Sequence, residues 1–298
     1  MRQTPELAAA GAVSAVRRAV VPGAFVFLWS TGFLGAKLGL PHAEPLHFLL
    51  IRFAVVIALL TLAAAAVRAP WPTRPADIAR IGLVGILLHG GYLGGVFVAI
   101  SLGIPPAVAA LIVGVQPLLT AALGRVYLRE HLRRITWIGL VLGFAGVVLV
   151  VGGRAETDGI SGAGVAAALV ALLAITAGTL YQKRHGAHMN LLSGSAVQFI
   201  AAALVTLPPA LLLETGRIDW TGEFVFAVLW LAIVLSIGAI SLLHLLIRRG
   251  AAAKVASLFY LTPSVTAVLA WLLFGDSLSA IAIAGFVVTA AGVALASR

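Results

Sequence analysis

Two cations stand where charge is costly. Lys37, in WSTGFLGAKLGL, and Arg52, in HFLLIRFAVV, lie inside long apolar runs that hold no acidic residue. A lysine so placed has two physical uses. Its stem can lie in lipid while the ammonium snorkels to the interface, or it can anchor a gate contact inside a bundle, with Glu44 as counter-charge. Arg52 is deeper, about two turns into its run, where lipid exposure costs ~2.5 kcal/mol or more. It is expected to face protein, either satisfying carbonyls or receiving a substrate carboxylate.

The other capable groups are neutral. LLHGGYLGG holds His89 and Tyr92, three residues apart and hence on one helical face. They either fill a packed core or front a polar cavity, and the glycine pairs Gly90/Gly94 and Gly91/Gly95 permit close helix approach. Gln116 precedes Pro117, and Tyr260 and Thr262 precede Pro263. A helical proline frees the carbonyl one turn earlier, so Pro117 and Pro263 are candidate hinges beside candidate cavity residues. Trp29, Phe33, Thr176, Thr179, Gln198, Ser241 and His244 complete the candidate lining. For each of them a satisfied core position is the alternative.

What is missing narrows the chemistry. There is no cysteine, which excludes thiolate catalysis, disulfides and cysteine metal sites. All ten acidic residues fall in tails, loops or run ends. Carboxylates within the membrane are the usual proton and sodium relays, so carboxylate coupling is not expected. Proton linkage would fall to His89 or His244, and facilitated diffusion needs neither. The histidines are scattered and no His-Glu-x-x-His occurs, so neither a catalytic centre, a metal nor a cofactor is expected. A lipid-modifying membrane enzyme is the rival from another class. The net charge of +10 lacks a basic stripe with interleaved aromatics, so no nucleic-acid partner is expected.

Elements of one kind must position these groups. The chain is 61% hydrophobic and 10% charged, with mean hydropathy +1.11, against about a quarter charged in soluble domains. Its solvent is largely lipid, where the backbone must satisfy itself within helices of ~20 residues. Runs at 21–40, 46–67, 78–104, 107–127 and 135–151 predict five spans, and 164–181, 191–213, 224–247, 255–274 and 280–296 five more. Breaks fall at Pro41, Pro70, Pro105-Pro106 and Gly152-Gly153. Trp71, Trp137, Trp220 and Trp230 near span ends read as interfacial anchors. Of 20 lysines and arginines, 16 fall on one side of this layout and only Arg154 and Arg217 on the other. The asymmetry predicts cytoplasmic N- and C-termini.

The two sets of five are copies. At an offset of 146, Pro117 meets Pro263, Thr120 meets Thr266, Glu130 meets Asp276, Gly139 meets Gly285, and Gly146 meets Gly292. Lys37 meets Lys183, Phe53 meets Phe199, and Arg52 meets Gln198. The expected organisation is a tail at 1–20, a first repeat at 21–152 and a second at 160–298. Five spans is an odd number, so the second copy is inverted. That architecture belongs to transporters binding substrate near the midplane between repeats.

Trp29, Phe33 and Lys37 in the first helix, Arg52-Phe53 in the second, and Pro117 and Pro263 in the fourth and ninth together resemble the EamA family of the drug/metabolite transporter superfamily. The resemblance covers nearly the whole chain, and its best-understood architecture is that of YddG-type exporters of aromatic and neutral amino acids. It implies ten helices around a central cavity, exporting small metabolites across a bacterial inner membrane. Neutral and aromatic amino acids rank first as substrates, then nucleobase-like or drug-like amphiphiles. Besides substrate and lipid bilayer no partner is implied, and a monomer suffices.

Overall fold

A computed structural model describes residues 20–32, 35–36, 38–104, 106–152, 161–186, 188–249, 252–274 and 280–296. Phe33 and Lys37 lie outside the described residues. Among the described residues the fold is all-helical, with ten helices. In the first half α1 is Val20–Gly32, with helical residues 35–36 and 38–39 beyond it; α2 is Pro45–Ala66 and α3 Pro75–Ser101. Helix α4 comes in two pieces, Pro106–Val113 and Gln116–Tyr127, and α5 is Arg134–Gly152. The second half holds α6 (Gly162–His185), α7 (Leu191–Leu213) and α8 (Gly222–Arg248). Helix α9 is Ala252–Ser257, a tighter turn Leu258–Tyr260, and Leu261–Phe274; α10 is Ala280–Ala296. Five of these, α2, α3, α6, α7 and α8, are each long and apolar enough to cross a membrane.

Local chemistry sets the ends. Pro45 and Pro75 open α2 and α3, a position where the missing N–H is no loss. Ser161, Asn190 and Thr221 accept backbone N–H groups at the starts of α6, α7 and α8, satisfying donors that a first turn leaves free. Helix α3 stops at Ser101, short of the expected 104, because Gly103 turns left-handed at φ +88°. Helix α6 instead continues four residues past 181 to His185.

Two helices carry wide π turns, Ile86–Gly91 in α3 and Leu231–Ala239 in α8. Adding the offset of 146 to the first gives 232–237, inside the second. The feature is therefore duplicated, and such turns gather at functional sites. This turn corrects the expectation for His89 and Tyr92. The i→i+5 register rotates them apart, so His89 stacks on Phe199 of α7 at 4.0 Å while Tyr92 lies parallel to Trp29 of α1 at 6.4 Å.

The inversion can be read in two contacts. In α5 and α10 a methyl added at Gly139 would stand 2.6 Å from the Gly292 carbonyl oxygen. One at Gly146 would stand 2.8 Å from that of Gly285. Exchanging each residue for its repeat mate turns the first contact into the second, so the antiparallel pair maps onto itself. The mates Phe53 and Phe199 likewise touch each other, 5.6 Å between ring centroids. A pseudo-two-fold axis passes through both places.

Buried side chains fall into two main clusters. The larger draws on α1, α2, α3, α6, α7 and α8, with Val255 of α9 as a further member. A smaller one joins Ala121, Leu140, Val147, Ala253, Tyr260 and Val293 of α4, α5, α9 and α10. Each set pairs helices with their own repeat mates. Outward, exposed Leu62, Leu173, Leu204 and Leu211 suit hydrocarbon. Trp230 is not a lipid anchor: its indole N–H donates to Thr31 Oγ1 at 3.0 Å.

At one end of the bundle the α1–α2 and α7–α8 loops are fastened together. Glu44 Oε2 accepts from the Thr215 N–H (2.8 Å), the Thr215 hydroxyl (3.0 Å) and the Gly216 N–H (2.8 Å). Glu214 returns the arrangement, accepting from the first N–H groups of α2 at Leu46 and His47. Ala43 and Ile218 form an antiparallel bridge between them.

Candidate functional site

The pseudo-two-fold axis relates the walls of a small cavity. Trp29 of α1, Tyr92 and Val96 of α3 and Ile175 of α6 line it from the larger cluster's side. Val113 and Gln116 of α4 and Phe259, Thr262 and Pro263 of α9 face them. At the offset of 146, Trp29 pairs with Ile175, Val113 with Phe259, and Gln116 with Thr262. Three repeat pairs around one space mean that the axis runs through it. This axial chamber, about 30 Å³, has room for water alone, since a single water needs roughly 10–15 Å³.

Its chemistry is aromatic with two free acceptors. Trp29 meets Phe259 edge-on at 5.0 Å. Gln116 Nε2 donates to Thr120 Oγ1 at 3.1 Å, which leaves Gln116 Oε1 buried with no protein partner, as is Thr262 Oγ1. Buried polar atoms are rarely left so, and both belong to residues that line the space. The break in α4 between Val113 and Gln116 makes this possible. Pro117 opens the second piece near its N-terminus, so the helix restarts there, where the sequence predicted one kinked span.

A second chamber of about 50 Å³ adjoins, sharing Trp29, Tyr92 and Val96 with the first, and Arg52 lines it. Beyond it opens a vestibule of about 710 Å³ at the fastened end of the bundle, sharing Ala36 and Ile100 with the Arg52 chamber. The three spaces form one sequence from surface to axis.

Sequence reasoning found part of this. Trp29, Tyr92, Gln116, Arg52 and Pro263 line the chambers. His89, Thr179, Gln198, His244 and Tyr260 are buried elsewhere and line neither. Gln198 donates to Gln182 Oε1 at 3.2 Å, and both ring nitrogens of His89 and of His244 have no protein partner. Tyr260 packs on Gly143 and Phe144 of α5. Ile175, Val113 and Phe259 were missed. The offset held the signal for one of them, since it carries the candidate Trp29 onto Ile175.

At the fastened end Glu44, His47 and Glu214 bring ligand-type atoms within 4.8 Å of one another. Those atoms are committed already, His47 Nδ1 to Glu214 Oε2 at 2.7 Å and Glu44 Oε2 to the 215–216 backbone. The Thr215 N–H first, then the Thr215 hydroxyl and the Gly216 N–H, hold the Glu44 carboxyl below its ordinary value despite some desolvation. The group acts as a reciprocal helix and loop cap.

The profile of the EamA-like transporter family matches residues 23–152 and again 162–298. The chain belongs to this family. It is an EamA-like multi-pass membrane transporter and not an enzyme, which removes the lipid-modifying alternative. It is similar to a probable amino-acid metabolite efflux pump of Salmonella typhimurium, 27% identical over 281 residues, covering 90% of each chain. It is also similar to YedA of Escherichia coli, an uncharacterised inner membrane transporter, at 28% over 264 residues, 87% of this chain and 83% of that one. A solved crystal structure superposes with TM-score 0.77 over 93% of this EamA-like chain and 95% of the other, at 23% identity, and so shares the fold.

Proposed function

We propose that this transporter exports small neutral or aromatic amino acids from a bacterial cytoplasm across the inner membrane by alternating access. The observation that carries the reading is the chamber on the repeat axis, walled by Trp29, Tyr92 and Phe259 and offering Gln116 Oε1 and Thr262 Oγ1 as unpartnered acceptors. A site on the axis of an inverted repeat is equivalent from both sides, which is what alternating access requires. Aromatic walls suit an apolar side chain, and paired acceptors suit an ammonium group. The similar Salmonella protein, named as a probable amino-acid metabolite efflux pump, supports the same substrate class. The charge asymmetry puts the termini and the arginine-rich loops in the cytoplasm. The fastened loops and the vestibule then face outward. No acidic residue lies in the middle of a span; all stand in tails, loops or helix ends, so export is facilitative, and a monomer suffices.

Counterflow in proteoliposomes tests this. Radiolabelled phenylalanine should exchange saturably over empty liposomes and independently of a pH gradient. Dependence on the gradient would move the coupling to His89 and His244. Absence of exchange with every amino acid, from folded protein, would remove the substrate assignment.

A further inference from the structure

Arg52 is 2% exposed and lies on α2 at the middle station of the path from vestibule to axial chamber. Its Nε donates to Ser236 Oγ at 2.9 Å. Ser236 in turn donates to the Leu231 carbonyl at 3.0 Å, five residues back, a bond that the π turn of α8 makes available. The serine oxygen is thereby aimed at the guanidinium and fixes its plane. Among the described residues the two terminal nitrogens have no protein acceptor, and no carboxylate makes an ion pair with Arg52. The described acidic residues, Glu44, Asp77, Glu130, Glu214, Asp219 and Glu223, all stand in loops or helix ends. A buried cation without a counter-charge is strongly destabilising, and a guanidinium with one edge pinned offers the other as a two-pronged donor.

We infer that Arg52, oriented by Ser236, is a receptor for the carboxylate of the transported molecule, so that the substrate class is amphiphilic monocarboxylates, amino acids among them, and excludes the corresponding amines. The proposal rests on the export reading above and sharpens it. The carboxylate sits against Arg52 in the middle chamber. The apolar body crosses the shared wall of Trp29 and Tyr92 into the axial chamber, which must widen to admit it. In an amino acid the ammonium group reaches the free acceptors Gln116 Oε1 and Thr262 Oγ1. The repeat mate of Arg52 is Gln198, whose amide is held by Gln182. The receptor is therefore present once, on the vestibule side, and gives a symmetric scaffold an asymmetric affinity.

Three probes sharing one phenyl ring separate the outcomes: phenylalanine, 3-phenylpropanoate and phenethylamine. Binding to the full chain is read by thermal shift and competition with labelled phenylalanine, and transport by counterflow. Both carboxylates should bind at least tenfold more tightly than the amine, the scale of hydrogen bonds to a charged group. Arg52→Gln should bring phenylalanine to the amine's level, and Arg52→Lys should keep part of the preference. Should Arg52→Gln not fold, Ser236→Ala, which frees the guanidinium plane, should still narrow the gap on the wild-type background. Phenethylamine binding as tightly as phenylalanine would overturn the receptor and leave export standing. Carboxylates that bind without counterflow would uphold the receptor and remove export. Failure of both carboxylates to bind the folded wild-type protein would overturn the receptor.

Discussion

Gly85 shows what one side chain must not be. A methyl there would lie 2.1 Å from the Gln198 carbonyl oxygen and 2.4 Å from its Cα, and backbone cannot yield as a flexible side chain can. Gly85→Ala should therefore push α3 from α7 and cost about 1–3 kcal/mol, as overpacking does. Gly94, a few residues on, has nothing within 4 Å, so Gly94→Ala should leave the melting temperature in detergent unchanged. Equal melting of the two variants would refute the close contact. The sequence marked four glycines as packing pairs but could not rank them. Gly91 and Gly95 meet Ala174 and Ala167 of α6 at under 3 Å while Gly94 meets nothing, a difference fixed by the π turn. At Glu44 the prediction is one of pH. Its carboxyl is held low by the Thr215 and Gly216 donors, so the folded form is the one that keeps the charge. The loop fastening is complete above the ordinary carboxylate value, about 4.3, and is lost only as pH falls through the lower folded value. Amide exchange at Thr215 and Gly216 should stay slow through mild acid and speed up below it. Glu44→Gln should make it fast at all pH values.

Helices were the most legible level, because period and length suffice for a span in lipid. All ten runs appear where composition put them, and their starts at Pro45, Pro75, Ser161, Asn190 and Thr221 follow ordinary capping chemistry. Interruptions were less legible. A π turn and an α turn bury the same apolar residues, so LLHGGYLGG does not announce its register, and His89 was placed beside Tyr92 as a result. Nor does Pro117 tell whether its helix bends or restarts, which depends on whether neighbours satisfy the groups at Gly114 and Val115. We propose that these interruptions, repeated at Pro117 and Pro263, are where α4 and α9 flex. Pro117→Ala restores an N–H and lets α4 run continuously through 113–116. It should slow counterflow severalfold while changing thermal stability little. An unchanged rate would remove the hinge, and a lost fold would show that the break is structural.

The whole molecule is two nested symmetric sets, six helices around Phe53 and Phe199 and four around the glycines of α5 and α10, with the axial chamber where they face each other. This division was hidden in the sequence. The offset identifies which residues are mates, but only tertiary contact shows which mates touch. It predicts a rocking of one set against the other, and the absence of cysteine makes that testable with two introduced pairs. Ala43→Cys with Ile218→Cys joins the bridged loops, both belonging to the six-helix set. Ser30→Cys with Thr266→Cys joins α1 to α9 across the division, where Thr266 Oγ1 donates to the Ser30 carbonyl at 3.2 Å and the Ser30 hydroxyl to that of Thr262 at 3.3 Å. Oxidation of the first pair should leave counterflow intact, because its loops travel together. Oxidation of the second should stop counterflow, and reduction should restore it, because substrate cannot cross unless α9 moves relative to α1. A block by the first pair would mean that the fastened loops part in each cycle, with the six-helix set not one body. Undiminished exchange with the second pair fully oxidised would mean that the sets do not rock, and the chamber on the axis would need another route to both faces.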